Sequence, residues 1–211
     1  MTRRRTASEA RGTLGATPLI TRVYAGPALR RTASDARHTP SHVRRSAGYG
    51  RRMATPDFLR TLRASAGHQL LWLPGVTALV FDDEGRVLLN RRSDTGRWSV
   101  IGGIPDPGEQ PAACAVREVE EETAVRCAVE RVVLVQALNP VTYGNGDICQ
   151  YMDITFRCRA VGGEARVNDD ESLDVGWFAV DALPELNEFA RFRIKQSMSD
   201  APTWFDPTES S

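Results

Sequence analysis

The amino-acid sequence predicts an α/β fold in which a mixed β-sheet lies between helices. Segments rich in β-branched residues alternate with segments of helical period, and clusters of Gly, Pro, Asp and Asn separate them. The order along the chain is strands, a helix, more strands and a final helix. Such an order favours a sheet that is covered by helices on both faces.

The first predicted elements are a short helix and a β-hairpin. Residues 56–66 have a weak helical period of leucines. Residues 73–81 are rich in β-formers, and Asp82–Gly85 has the composition of a hairpin turn. We therefore expect 86–91 to be the returning strand, after which Trp98–Ile101 leads into a pair of glycines.

The central helix, predicted at Pro111–Thr123, combines an apolar side with an acidic side. Glu118, Glu121 and Glu122 are spaced i, i+3 and i+4, so they face the same way. Such close like charges would destabilise the helix unless divalent cations lie among them, and oxygen ligands suit Mg²⁺ or Mn²⁺. A solvated Glu-rich surface is the alternative, but an apolar stripe indicates that the other side is packed. The stripe consists of Ala112, Ala115, Val116, Val119 and Thr123.

The second half of the domain is predicted to add strands and a last helix. The predicted elements are a strand at 128–138, a turn-rich loop at 140–147, a long strand at 148–160, an acidic loop at 169–171, a short strand at 175–178, a helical turn at 181–186 and a helix at 188–198. Alternation along the long strand places Asp153 and Arg157 on one face and Ile154 and Phe156 on the other.

The N-terminal segment, residues 1–52, differs sharply in charge from the rest of the chain. It holds twelve arginines, no lysine and two acidic residues, and Arg4–Arg11 recurs almost unchanged as Arg30–Arg37. We predict a basic, disordered segment. Three interpretations remain open: a start codon placed too early, with Met53 the first native residue; a basic tail that contacts nucleic acid or acidic surfaces; or a transit-type presequence.

Cysteine and histidine usage indicates a protein of a reducing compartment. No CxxC pair occurs among the four cysteines, and the three histidines all precede residue 69, so a zinc site is not favoured. A chain of this length builds a core without disulfides, so free thiols and a cytoplasmic location are expected. Neither a membrane-spanning apolar run nor a secretory signal is present in the sequence.

The acidic helix and the glycines before it follow a fixed pattern, G-x₅-E-x₇-R-E-U-x-E-E-x-G-U, where U is apolar. The residues that carry the pattern are Gly103, Glu109, Arg117, Glu118, Val119, Glu121, Glu122 and Val125. This segment resembles the Nudix box. One position departs from the family, because Ala124 stands where Gly would adopt a positive φ more readily. Ile101 is also unusual, since Pro is frequent there.

The resemblance implies the α/β/α sandwich of Nudix domains over residues 71–205, preceded by an N-terminal helical extension at 53–70. It also implies a metal site for Mg²⁺, with Mn²⁺ as the alternative. The ligands would be the Gly103 carbonyl, Glu118, Glu121 and Glu122. Glycine suits the carbonyl ligand because no side chain blocks the approach of a metal.

Further site residues are expected around this cluster. Arg117 would hold a glutamate through a bidentate pair rather than contact substrate. Glu171 would be a further metal ligand or the general base, and a solvated turn is the alternative for its loop. Arg91 and Arg92 would reach phosphate or end a solvated strand. Tyr143 would stack on a base or occupy a surface turn.

The implied function is Mg²⁺-dependent hydrolysis of a phosphoanhydride bond in a nucleoside diphosphate linked to another moiety. Pro140 and Tyr143 lie where the family carries markers of ADP-ribose and dinucleoside polyphosphate enzymes, respectively. We favour an ADP-ribose-like substrate, with nucleoside triphosphates or dinucleoside polyphosphates next. The alternative is a non-catalytic nucleotide-sensing Nudix domain with a basic tail that contacts nucleic acid. For the folded domain we expect a small nucleotide as partner, no membrane, no nucleic acid, and a monomer or homodimer.

Overall fold

One mixed β-sheet of nine strands runs through residues 56–206, which are the part of the chain that this computed structural model describes. The basic segment predicted at 1–52 lies outside the described residues. The helices are α1 (Asp57–Ala66), α2 (Pro111–Thr123) and α3 (Glu188–Met198). The strands are β1 (Leu71–Phe81), β2 (Val87–Arg92), β3 (Trp98–Ser99), β4 (Ile101–Gly103), β5 (Val125–Ala137), β6 (Val141–Thr142), β7 (Ile148–Gly163), β8 (Ser172–Phe178) and β9 (Trp204–Phe205).

The centre of the sheet is a parallel pair, β1 and β7, in register from Leu71 opposite Cys149 to Phe81 opposite Arg159. The main order of strands is β3-β2-β1-β7-β5-β9, while β4 pairs with β1, β6 with β7 and β8 with β2. The β5–β7 and β2–β8 pairs are antiparallel. The mixed sheet predicted from the sequence is confirmed.

The two faces of the sheet are covered by different helices. The inner residues of α2, among them Cys114, Ala115 and Val119, are fully buried in a cluster with β1, β5 and β7. On the opposite face, Ala190 and Ile194 of α3 join a separate cluster with β1, β2 and β5. The amphipathic stripes of α2 and α3 therefore build the predicted layers, with helices on both sides of the sheet.

Helix α1 is held at the edge of the domain by an arginine. Leu59 is buried against Leu73 and Cys149. Arg63 donates hydrogen bonds to the carbonyl of Ile148 at 2.7 Å and to Sγ of Cys149 at 3.0 Å. These contacts tie α1 to the start of β7, a strand that lies far along the chain.

The structure corrects two details of the second half of the chain. The segment at 181–186 is not helical, since it holds one hydrogen-bonded turn from the Ala182 amide to the Ala179 carbonyl, and Pro184 has no amide to continue a helix. Strand β9, which pairs parallel with β5, was not predicted. Two residues are too few to show a periodic pattern.

The C-terminal end of α2 contains a non-glycine residue in the left-handed region. Ala124 has φ 58° and ψ 9°, and its amide donates to the Glu120 carbonyl at 3.0 Å. It is the one non-glycine with positive φ among residues 56–206. An L-residue with a Cβ is strained there by about 1 kcal/mol. The backbone thus adopts at Ala124 the conformation for which the box pattern has glycine.

Ala124→Gly is expected to raise the free energy of unfolding by about 1 kcal/mol, because it removes the Cβ from a left-handed residue. Urea unfolding followed by circular dichroism measures the change. The matched control is Ala113→Gly, at an exposed position within the same helix, which is expected to lower stability by about 1 kcal/mol. If both substitutions destabilised the protein equally, the strain at Ala124 would be refuted.

Candidate active site

The most buried acidic residue of the site is Glu122, on the inner side of α2. It is 4% exposed, and Oε2 accepts a hydrogen bond of 2.5 Å from Nδ2 of Asn90 on β2. The same Asn90 nitrogen donates to Oγ of Ser172 on β8 at 3.2 Å. Burial, together with the nearby charges of Glu118, Asp169 and Glu171, raises the pKa of Glu122 to about 9.

Glu118 lies one turn earlier on α2, directly against the glycine pair. A Cβ at Gly103 would overlap the Glu118 carboxylate, and a Cβ at Gly102 would lie 2.6 Å from the Val76 carbonyl oxygen. Glycine is therefore required at position 102, where the contact is with backbone, and a side chain at position 103 would displace the Glu118 carboxylate. Burial raises the pKa of Glu118 to about 7, although Arg117 opposes the shift and Glu121 and Glu171 add to it.

Arg117 organises the outer part of the acidic helix. Its Nε donates to Oε1 of Glu109 and its Nη2 donates to Oε2, each at 2.9 Å, so the two side chains form a bidentate pair. Its Nη1 donates to Oε1 of Glu118 at 2.8 Å and to Oε2 of Glu121 at 3.1 Å. The pair with Arg117 lowers the pKa of Glu109 to about 2. Glu109 also accepts a hydrogen bond from the Asp106 amide, which fixes the loop before α2.

The i, i+3, i+4 spacing predicted a single cluster of the three helix carboxylates. In the structure they accept hydrogen bonds from two different residues. Glu118 and Glu121 share Arg117, while Glu122 turns inward to Asn90. Within residues 56–206, no three His, Cys, Asp or Glu side chains enclose a metal position. Glu122 thus has a donor of its own, and the Arg117 guanidinium offsets the repulsion between Glu118 and Glu121.

The donor set nevertheless fits a divalent cation. Glu122 is buried and Glu118 is partly buried, and burial together with neighbouring carboxylates raises the pKa of both groups. Arg117 contacts one oxygen of Glu118 and one oxygen of Glu121. A cation among these oxygen ligands would offset the repulsion that the protein otherwise bears.

A loop at 164–171 carries further acidic residues and is fixed to the end of α2. The amides of Arg166 and Asn168 donate to the carbonyls of Thr123 and Glu122. Nδ2 of Asn168 donates to the Glu120 and Glu121 carbonyls at 3.0 and 3.2 Å. These bonds satisfy carbonyls that a helix end leaves without partners. They also place Glu171 near Glu118 and Glu122, whose pKa values its charge raises.

A cleft of about 620 Å³ opens beside these carboxylates. Gly103, Glu118 and Glu171 line it, and so does Arg92. Arg92 also makes a two-point pair with Asp94, which raises the pKa of the guanidinium.

Of the two arginines predicted to reach phosphate, only one faces the cleft. Arg91 is not among the residues that line it, and its Nε donates to the Gly96 carbonyl at 2.9 Å. The register of the β2–β8 pair shifts between Arg91 and Arg92, so the different placement of these two side chains follows from their contacts and not from regular strand alternation. The prediction for Arg91 is not supported by this placement.

Tyr143 lines the same cleft, together with Tyr151 of β7. Their hydroxyl groups are 2.8 Å apart, so the two rings form one hydrogen-bonded wall. Burial and the Tyr143 hydroxyl raise the pKa of Tyr151 well above its usual range, which keeps its phenol neutral. The structure thus brings Tyr143 to the cleft that holds Glu118.

Two residues that the sequence did not reveal, Asn90 and Asn168, position the carboxylates and the loop beside them. Asn90 is 2% exposed and stands between the apolar residues Val87–Leu89 and two arginines, so its place in the sequence resembles an ordinary polar strand end. Asn168 gave no signal either, because an Asn in a loop is ordinary. Its role depends on how the loop meets α2.

A sequence model of the NUDIX domain matches residues 71–199. An α/β sandwich with a carboxylate-lined cleft is the class that the fold and site define. The chain belongs to the Nudix family, and it is a hydrolase of the class that acts on pyrophosphate bonds. Nudix hydrolases generally need a divalent metal.

Similar proteins include a MutT-like protein of Streptomyces ambofaciens, which is 34% identical over 127 residues, 60% of this chain and 77% of the relative. The NAD-capped RNA hydrolase NudC of Pseudomonas putida (strain GB-1) is 34% identical over 115 residues. That match covers 53% of this chain and 39% of NudC, so the chain spans well under half of that relative. Among solved structures, a UDP-X diphosphatase has a TM-score of 0.50 and 26% identity, over 67% of this chain and 68% of that one.

Cation binding is expected to stabilise the protein, and more strongly at about pH 8 than at about pH 5. A carboxyl group with a raised pKa favours the folded state at low pH, and this contribution is lost as the pH rises through its folded value. At about pH 8 Glu118 has largely lost its proton, and Mg²⁺ or Mn²⁺ takes the place of this proton and of the one that Glu122 still holds. The melting temperature is therefore expected to rise by a few degrees above that in chelator.

Differential scanning calorimetry with Mg²⁺, Mn²⁺ or EDTA tests this expectation. Glu122→Gln should raise the melting temperature in EDTA and reduce the response to the cation. Glu120→Gln, at the exposed free position of the box, is the matched control and should respond like the native protein. An unchanged melting temperature with either cation at both pH values would rule out a metal site at these carboxylates.

Proposed function

We propose that this chain hydrolyses one phosphoanhydride bond of a nucleoside diphosphate linked to another moiety, with Mg²⁺ held by its carboxylates. An ADP-ribose-like substrate is favoured, and nucleoside triphosphates and dinucleoside polyphosphates are the next candidates. The proposal rests on the set of residues that line one cleft. It has Glu118 and Glu171 among its lining residues and extends to Tyr143 and Tyr151.

The names of two similar proteins support a linked diphosphate. One is called a UDP-X diphosphatase and the other an NAD-capped RNA hydrolase. UDP and NAD each contain a nucleoside diphosphate unit. A cleft with a charged part and an aromatic part suits such a molecule, because its diphosphate is anionic and its base is a flat apolar ring.

The carboxylates have separate roles in the proposed reaction. The Gly103 carbonyl, Glu118, Glu121 and Glu122 would hold the cation, with Mn²⁺ as an alternative to Mg²⁺. When bound, the cation would offset the negative charge that protects a diphosphate from attack. Arg117 positions Glu118 and Glu121, and Asn90 positions Glu122.

Glu171 would accept the proton from the attacking water. It lines the cleft, and its backbone carbonyl is fixed by a 2.8 Å hydrogen bond from the Ser93 amide. A carboxylate on a fixed backbone at the cleft is a suitable general base. Arg92 would contact a phosphoryl oxygen of the substrate, and Tyr143 would stack on its base.

The protein's setting is part of the same proposal. All four cysteines are buried and unpaired, which fits a reducing compartment such as the cytoplasm. No helix within residues 56–206 is long and apolar enough to cross a membrane. We expect a small-molecule partner and a monomer or homodimer.

Glu122→Gln is expected to lower kcat by about a hundredfold or more, because a buried ligand loses its charge while its shape is kept. Turnover with Mg²⁺ and the circular dichroism spectrum are measured together. Glu120→Gln should retain nearly native turnover. A near-native rate for Glu122→Gln would exclude its role as a ligand.

A panel of candidate substrates distinguishes a hydrolase from a non-catalytic nucleotide-sensing domain. ADP-ribose, a UDP-sugar, NAD, a dinucleoside polyphosphate and a nucleoside triphosphate are incubated with Mg²⁺ or with chelator. We expect Mg²⁺-dependent release of the nucleoside monophosphate, fastest from ADP-ribose-like compounds. Tight binding without turnover of any compound would instead identify a nucleotide-sensing domain.

A further inference from the structure

A buried ion pair of Asp153 and Arg193 lies in the wall of the cleft. Nη2 of Arg193, on α3, is 3.0 Å from Oδ2 of Asp153, on β7, and both side chains are at most 10% exposed. Asp153 also accepts hydrogen bonds from the hydroxyl groups of Thr77, at 2.9 Å, and Thr155, at 2.8 Å. The carboxylate is thus fully engaged, and it offsets the charge of the guanidinium.

Arg193 has donors that this network does not satisfy. Its Nε and Nη2 are buried, and neither has a hydrogen-bond partner among the described residues, although Nη2 forms the ion pair with Asp153. Nε has neither kind of partner there. A buried donor without a partner costs free energy, and native structures satisfy nearly all such groups. Because Arg193 and Asp153 both line the cleft, an acceptor on a bound ligand is a natural partner for this donor.

The same cleft has an apolar half that helix α1 completes. Leu59 of α1 and Pro56, the residue before this helix, line it together with Ile104, Tyr143 and Tyr151. Leu59, Ile104 and both tyrosines belong to one hydrophobic cluster. Helix α1 precedes residue 71, where the NUDIX match begins. The wall is therefore an addition of this chain to the matched domain.

We propose that this apolar half holds the nucleobase of the substrate and that Nε of Arg193 donates a hydrogen bond to a ring nitrogen or carbonyl oxygen of the base. The inference rests on the proposed function and assigns its specificity. A base fits better than a phosphate, because the charge of Arg193 is offset by Asp153 and the cleft that Arg193 lines also carries Ile104, Tyr143 and Tyr151. Arg193 is then a specificity residue, and Asp153 positions it.

Isothermal titration calorimetry on the full chain tests the assignment. The probes are ADP, GDP, UDP and CDP, with Mg²⁺–pyrophosphate as the probe that lacks a base. Arg193→Lys keeps a cation beside Asp153 and removes the Nε donor. We expect it to weaken binding of the tightest nucleoside diphosphate about tenfold. Binding of pyrophosphate should not change.

Two further variants make the test decisive. Arg191→Lys is the matched control, because Arg191 lies on the same helix and donates to the Leu186 and Pro184 carbonyls away from the cleft lining. It should bind all probes like the native protein. Ile104→Trp fills the apolar half and should abolish the preference for nucleoside diphosphates over pyrophosphate. This variant keeps the proposal testable if Arg193→Lys does not fold.

Three results would overturn the assignment. Equal loss of both kinds of probe in Arg193→Lys would show a general effect on the fold, and no loss would show that Nε contacts no base. Native protein that binds nucleoside diphosphates no better than pyrophosphate would show that no base is recognised. Each outcome is independent of turnover, so a failure here is distinct from a failure of the proposed hydrolysis.

Discussion

The burial of acidic groups on the inner side of α2 is the constraint to which the rest of the site conforms. A glutamate side chain is normally exposed to water, because moving its charge out of solvent costs free energy. Here Asn90 supplies one donor, and a neighbouring strand holds Asn90 through Ser172. Burial of Glu122 therefore costs stability on the side of α2 for which we propose a cation site, and such a cost is common at functional sites.

The C-terminal end of α2 connects the acidic helix to the loop that carries Glu171. Its last carbonyls are satisfied by Arg166 and Asn168 rather than by solvent. The loop that carries Glu171 is consequently positioned by the same helix that carries Glu118. Residues far apart in sequence act as one unit because a helix end requires partners, and the left-handed residue after it turns the chain into β5.

Local patterns were sufficient to predict α2 and α3 at their observed bounds. Proline at the first position of α2, and Asn187 as the N-cap of α3, mark where these helices begin. The box residues were predictable because they lie within one helix and one adjacent loop. Asn90, Asp153 and Arg193 were not, because their roles arise from contacts between strands and helices that no spacing encodes. Arg91 shows the same limit, since two neighbouring arginines looked equivalent in the sequence, whereas only Arg92 lines the cleft and Arg91 donates to the Gly96 carbonyl.

Helix α1 has a consequence for how this domain is delimited. Arg63 of this helix donates hydrogen bonds to the carbonyls of Gly67, Gln69 and Ile148, so the helix is attached to the start of β7. A fragment trimmed to residues 71–199 would retain the carboxylates of α2 and Glu171 and lose the wall of the cleft that α1 supplies. Leu73 and Cys149 would then be exposed to water. The structural boundary of this domain thus lies upstream of residue 71, where the match to the family model begins.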